Sequence, residues 1–183
     1  MPSLSAAQEM TPTGVLLDTN VASYLFEETA ESTLYLRRIE GRLLFISLVS
    51  VAELRYGALN DNWGDARKQR LEGWIQTHTV LSVDDETARA VAILMNERRR
   101  AGRRLEWSDA WIAATAISHH LPLVTHDRDF FYIDGLEIIT ELRGLEVREP
   151  CREFGNPPEA TPEIALEWLH RYVTALESGR TLQ

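Results

Sequence analysis

Hydrophobic positions along this chain follow two rhythms. Short, mostly apolar runs occur at residues 14–17, 43–46, 80–83, 123–125 and 136–139. Between them lie longer segments in which apolar side chains return every three or four positions, at residues 21–26, up to 37–40, 47–59, 63–77, 84–100 and 108–120. Runs of four or so apolar residues suit strands buried on both faces, and the three-to-four spacing suits amphipathic helices. Asp84 is placed to cap the helix that starts there, Gly102 to close it, and Pro122 stands just past the end of the next. Strands separated by helical segments imply βαβ units, so the pattern predicts an α/β fold: a central parallel sheet with helices on both faces. No internal repeat is visible.

The two ends read differently. Residues 1–13, with Pro2, Pro12 and small polar residues, are expected to form a loose leader. The predicted α/β domain covers residues 14–143. Beyond it, Pro150, Gly155, Pro157, Pro158 and Pro162 mark a linker within 144–183. Thr161 followed by Pro162 is a helix-start signal. It opens a C-terminal amphipathic helix whose stripe of Trp168, Leu169, Tyr172, Val173 and Leu176 packs on the chain's own body or covers a partner.

The chain is organised around residues 106–130, EWSDAWIAATAISHHLPLVTHDRDF. Ala110, Ile112, Ala113, Ala114, Ala116 and Ile117 leave the helix almost no polar face, which marks it as a core helix. Yet Asp109 sits in its first turn and Asp127 follows the strand after it. A carboxylate at each end of a dry element requires a partner, a hydrogen bond or a metal.

Composition narrows the classes. With 183 residues, 44% hydrophobic and 26% charged, the chain has the make-up of an ordinary globular domain. No apolar run reaches the ~18 residues of a membrane span, and the N-terminus lacks the basic start and apolar block of a secretion signal. Cys151 is the single cysteine, which excludes an intrachain disulfide and suits a cytoplasmic setting. The net charge of −9 argues against indiscriminate nucleic-acid binding. Arg98, Arg99, Arg100, Arg103 and Arg104 are the exception; they form either a solvated helix end or a surface for phosphates.

Four acids fall near strand ends: Asp18 after the first strand, Glu53 in the helix leaving the second, Asp109 and Asp127. Ligands in open α/β sheets collect beyond the carboxyl ends of parallel strands. Each acid alone has a structural explanation. Asp18 can cap the helix after it, Ser50-Val51-Ala52-Glu53 spells a capping box, Asp109 suits a helix dipole, and Asp127 can hold a turn. In a parallel sheet Asp18, Glu53 and Asp127 fall on one edge, and Asp109 joins them only where its helix starts at that edge. Four acids meeting there point instead to a cation, since carboxylates crowded into one cleft need a neutralising charge. All-oxygen ligation fits magnesium or manganese. The histidines offer no paired ligand pattern, and His126 is expected to face away from Asp127. Magnesium held by carboxylates suits phosphodiester hydrolysis.

LLDTNV, then SVAELRYGAL, then SDAWIAATAISHHLPLVTHDRDF occur in an order and spacing that closely resemble the PIN-domain family, and within it the VapC-type toxins of bacterial type II toxin–antitoxin pairs. The resemblance spans residues 14–142. It implies a PIN-like three-layer fold and a magnesium- or manganese-dependent endoribonuclease with Asp18, Glu53, Asp109 and Asp127 as catalytic and metal-binding acids. It further implies that Asn20 supports the first aspartate, Thr125 lies near the site and Asp129 is a polar position beside it. It implies a homodimer, an RNA substrate such as tRNA or rRNA, and an antitoxin partner that inserts a C-terminal segment near the site. The alternative is a catalytically weak PIN-like module that binds nucleic acid as a regulator with a partner protein. A signalling receiver with an acidic magnesium pocket fits less well, because it would require paired acids after the first strand and a strand-end lysine.

Overall fold

The structure is a computed structural model that describes residues 14–142. Five parallel strands form one sheet in the order β3-β2-β1-β4-β5. They are β1 (Gly14–Leu17), β2 (Leu43–Ser47), β3 (Thr79–Leu81), β4 (Leu123–Val124) and β5 (Ile138–Ile139). The helices are α1 (Thr19–Glu27), α2 (Ala30–Ile39), α3 (Leu48–Asn60), α4 (Asp65–Gln76), α5 (Asp85–Arg100) and α6 (Trp107–Ser118). The predicted leader, linker and C-terminal helix lie outside the described residues.

The central strand shows why the sheet is covered on both faces. Val15 and Leu17 point into a core shared with Val21, Tyr35, Ile46, Val51, Leu71 and Val124, built from α1 to α4. Leu16, on the opposite side, joins Leu123, Val91, Leu94 and the alanines of α6. Val15, Leu16 and Leu17 are all fully buried. A strand buried on both faces has no polar alternation, which is why it reads as a plain apolar run. Gly14 opens it where space is short: a Cβ there would lie 2.6 Å from Phe45 Cε2 and 2.9 Å from Leu121 Cδ2.

Helix ends follow local chemistry. Asp84 caps α5 by accepting from the Thr87 N–H at 2.8 Å, as its position predicts. Gly102 adopts φ 67 one residue past the Ala101 cap, as a closing glycine does. α6 stops two residues earlier than the apolar spacing suggests, because His120 takes a left-handed φ of 51. β3 and β5 end or begin short of their apolar runs. Ser82 and Val83 leave the ladder before Asp84 caps α5, and Leu136 is buried in the core without pairing, its N–H turned to the Ile133 carbonyl. A 3-10 turn, Arg128–Phe130, was not foreseen from periodicity; three residues are too few to carry one.

Strand order places the functional edge. From β1 the chain runs outward through β2 and β3, then crosses back to β4 and β5 on the other side. The connections out of β1 and out of β4 therefore diverge, and a crevice opens between their carboxyl ends.

Candidate active site

Asp18 stands at this crevice, immediately after β1, and is 2% exposed. Its backbone N–H donates to the Val124 carbonyl at 3.0 Å, which ties it to β4. Asp18 occupies the N-cap position of α1, yet its side chain makes no capping hydrogen bond. The carboxylate instead accepts from the Thr125 hydroxyl, with Thr125 Oγ1 to Asp18 Oδ2 at 2.8 Å. Thr125 is itself fully buried and accepts the Asp127 N–H at 3.0 Å. Asp127 does hold a turn, since its Oδ1 accepts the Asp129 N–H at 2.9 Å. The residues after β4 are thus hydrogen-bonded one to the next, starting from Asp18.

Glu53 enters from α3. The capping-box spelling at Ser50 is not used. The cap is Ser47, whose hydroxyl accepts the Ser50 N–H at 2.9 Å, so α3 begins before the apparent signal. Glu53 is then a mid-helix residue whose head group is not engaged in capping, and it accepts from the Thr19 hydroxyl at 2.5 Å. Thr19 is a site residue that sequence reasoning missed; its signal was a hydroxyl directly after the strand-end aspartate. Asn20, expected to support Asp18, lies exposed on α1 and makes no hydrogen bond to Asp18. Thr125 takes that part because β4 delivers its hydroxyl from the neighbouring strand.

Asp109 reaches the same edge because α6 runs back along the sheet before β4, joined to it by residues 119–122. A helix that returns in this way starts at the carboxyl end of the strand it feeds. Glu106 caps α6 without a side-chain hydrogen bond, and Asp109 lies half-buried in the first turn.

Electrostatics ties the acids together. Burial pushes the Asp18 carboxyl up to about 6, aided by the charges of Asp127 and Glu53 and opposed by the Thr125 hydroxyl and the Thr19 N–H. Burial likewise pushes Asp109 up to about 7, with repulsion from Asp18, Asp127, Glu53 and Asp129 in that order. The five carboxylates lie within electrostatic reach of one another. Among the described residues, no three acidic, histidine or cysteine side chains are already gathered as a metal-binding group, so side-chain rotation would be needed to bring three onto one ion. The donor set is all oxygen, and the mutual repulsion of these carboxylates is relieved by added positive charge. On both counts these residues fit a hard divalent cation.

Other expectations resolve differently. His126 faces away from Asp127 as expected, with Nδ1 2.7 Å from the Tyr35 hydroxyl and its ring edge-on to Tyr24 and Tyr35. Arg98 is buried, unlike the other arginines of its cluster. It is 7% exposed, and its guanidinium donates to the Asp129 carbonyl at 3.0 Å and the Phe131 carbonyl at 3.4 Å. The last turn of α5 points Arg98 inward, beside Leu94 and Val91 on the buried stripe. Arg99, Arg100, Arg103 and Arg104 remain exposed, and the Arg103 guanidinium lies over the Tyr132 ring at 4.8 Å.

Residues 15–136 match the PIN domain family model. The chain belongs to the PIN domain family. Ribonuclease VapC5 of Mycobacterium tuberculosis is 39% identical over 99 residues, spanning 53% of this chain and 73% of that protein. VapC ribonuclease Y4jK of Sinorhizobium fredii is 34% identical over 134 residues, spanning 68% of this chain and 95% of that one. Among solved structures, a toxin–antitoxin complex from Klebsiella pneumoniae is similar with a TM-score of 0.57 and 28% identity, covering 69% of this chain and 97% of its counterpart. The three-layer architecture of this PIN domain is the one the sequence pattern predicts.

Proposed function

We propose that this chain is an endoribonuclease toxin of a type II toxin–antitoxin pair, using magnesium or manganese to hydrolyse RNA phosphodiester bonds. The observation that carries the proposal is the buried Asp18 at the carboxyl end of β1, its carboxyl raised to about 6 in the company of Asp127 and Glu53. Asp18 forms no ion pair with a described residue and makes no side-chain capping bond; what holds its carboxylate is the Thr125 hydroxyl and the Thr19 N–H. Relatives named as VapC ribonucleases support the reaction class. Neighbours solved as toxin–antitoxin complexes support a cognate antitoxin as partner. Assembly as a homodimer and action in the cytoplasm belong to the same proposal.

Asp18, Glu53, Asp109 and Asp127 would hold the cation. A divalent ion bound by such a set supplies Lewis-acid stabilisation of charge on the phosphate and eases the ionisation of water. The protein's own groups do the rest. Thr125 keeps Asp18 fixed and ionised by donating to Oδ2. Thr19 orients Glu53. Asp109, raised to about 7 without a cation, would ionise as the cation binds and join Asp18, Glu53 and Asp127 in holding it.

The decisive experiment replaces Asp18 with Asn, which preserves shape and removes charge. Purified Asp18→Asn protein should fold with native circular dichroism, fail to cleave RNA in magnesium, and no longer arrest growth on expression. Cleavage at the wild-type rate would remove the assignment.

A further inference from the structure

Arg98 is a buried cation that forms no close ion pair among the described residues; the Asp129 charge acts on it from farther off, and its Nε makes no hydrogen bond. Such a charge is costly to bury and demands compensation. The hydrogen bonds that compensate it all go to backbone carbonyls: Asp129 O at 3.0 Å, Phe131 O at 3.4 Å and Arg104 O at 3.5 Å. The three acceptors come from two different segments. Arg104 lies in the connection that leads into α6 and so to Asp109. Asp129 and Phe131 lie on the turn that follows Asp127, and the Asp129 N–H is the group that fixes the Asp127 carboxylate. One guanidinium thus joins the carrier of Asp109 to the carrier of Asp127. A rigid planar fork of N–H donors holds carbonyls of separate segments at fixed positions, whereas an ammonium is a compact centre whose donors rotate.

We propose that Arg98 is a positioning residue that sets the spacing between Asp127 and Asp109 for cation binding, acting through the Arg128–Phe130 turn and touching neither cation nor RNA. The inference rests on the metal-dependent reading of the site. It assigns Arg98 a task different from that of its exposed neighbours Arg99 and Arg103.

The test measures Mn2+ binding by calorimetry and RNA cleavage under steady state for wild type, Arg98→Lys and Arg98→Met, each with its melting temperature. Groups that orient metal ligands from outside typically cost about 10–100-fold in affinity or activity when removed. Both variants should lose Mn2+ affinity and kcat in that range while KM for RNA and its salt dependence stay at wild-type values. Arg98→Lys should rescue melting temperature better than it rescues Mn2+ affinity. A changed KM and a shallower salt slope with kcat intact would make Arg98 a phosphate contact and overturn the proposal. Wild-type Mn2+ affinity in a folded variant would overturn it too. If wild type binds Mn2+ but cleaves no RNA, the nuclease reading fails, and the positioning role is still decided by the calorimetry. Should neither variant fold, amide exchange on wild type decides: Mn2+ must slow exchange in the last turn of α5 as well as in residues 127–131, and protection confined to the acids would sink the coupling.

Discussion

The Thr125 hydroxyl donates to Asp18 Oδ2 at 2.8 Å across 107 residues of chain, and Thr125 Oγ1 in turn accepts the Asp127 N–H at 3.0 Å. One hydroxyl therefore fixes two acids that follow adjacent parallel strands. Thr125→Val keeps the β-branched shape and removes both bonds. The buried Asp18 then loses a stabilising donor, so its carboxyl should rise further above about 6. We expect the concentration of Mn2+ giving half-maximal cleavage to increase about 10–100-fold, with a melting temperature within a few degrees of wild type. Thr125→Ser should restore most of the loss.

Carboxyls raised in the folded state give the cation-free protein an unusual dependence on pH. Asp18 is raised to about 6 and Asp109 to about 7, each from 3.8. Between the ordinary and the raised values the folded chain binds more protons than the unfolded chain. Stability from these groups is therefore fullest below the unfolded pKa and declines as pH rises through the folded one. Asp18 alone should account for about 1 kcal/mol between roughly pH 5.5 and pH 7.5. The lowered carboxyls of Glu31 and Asp84 act with the opposite sign, but only in more acid solution. Thermal melts in chelator should therefore give a higher Tm at pH 5.5 than at pH 7.5, and Asp18→Asn should flatten the slope. A Tm that climbs with pH in the wild type would contradict the raised carboxyls.

The same protons must leave when a cation arrives. Binding to carboxylates requires the ionised form, so affinity should fall as pH drops through 7 and 6. Calorimetric titrations of Mn2+ in two buffers of different ionisation enthalpy should show net proton release at about pH 6.5 and less at about pH 8. The proton belongs to the cluster and not to one side chain, because the charge of Asp18 helps to raise Asp109. Equal apparent enthalpies in both buffers would mean that the acids are already ionised.

The sheet was legible in the sequence because its central strands are buried on both faces and so appear as bare apolar runs. Asp18 and Asp127 were legible because each follows such a run. Other features depended on tertiary context. Ser50 and Glu53 match a capping box, yet Ser47 already caps the helix by accepting the Ser50 N–H, which leaves Ser50 inside it. Arg98 sits in a string of arginines, and only the phase of α5 against its core turns that one inward. That the charges of Asp18, Asp127 and Glu53 act on Asp109 follows from the direction of α6, which spacing alone does not give. Thr19 and Asn20 are adjacent, and the choice of Thr19 as the partner of Glu53 is made by how α1 and α3 pack.

That packing supplies the last prediction. Thr19 Oγ1 donates to Glu53 Oε2 at 2.5 Å, joining the first turn of α1 to the middle of α3. A hydrogen bond to a charged acceptor contributes about 1.5–3 kcal/mol, much of it as restraint on the acceptor. Thr19→Val removes the donor while keeping the side-chain branch, so α1 and its contacts with α3 persist. Glu53 is then free to rotate toward solvent, and each binding event must gather it again. The variant should show a several-fold weaker Mn2+ affinity and a lower kcat at subsaturating metal, both recovering as metal concentration rises. Thr19→Ser, which keeps the hydroxyl, should match wild type in the same assay. Loss of kcat that saturating Mn2+ cannot restore would mean that the Thr19 hydroxyl serves the reacting phosphate directly and not Glu53.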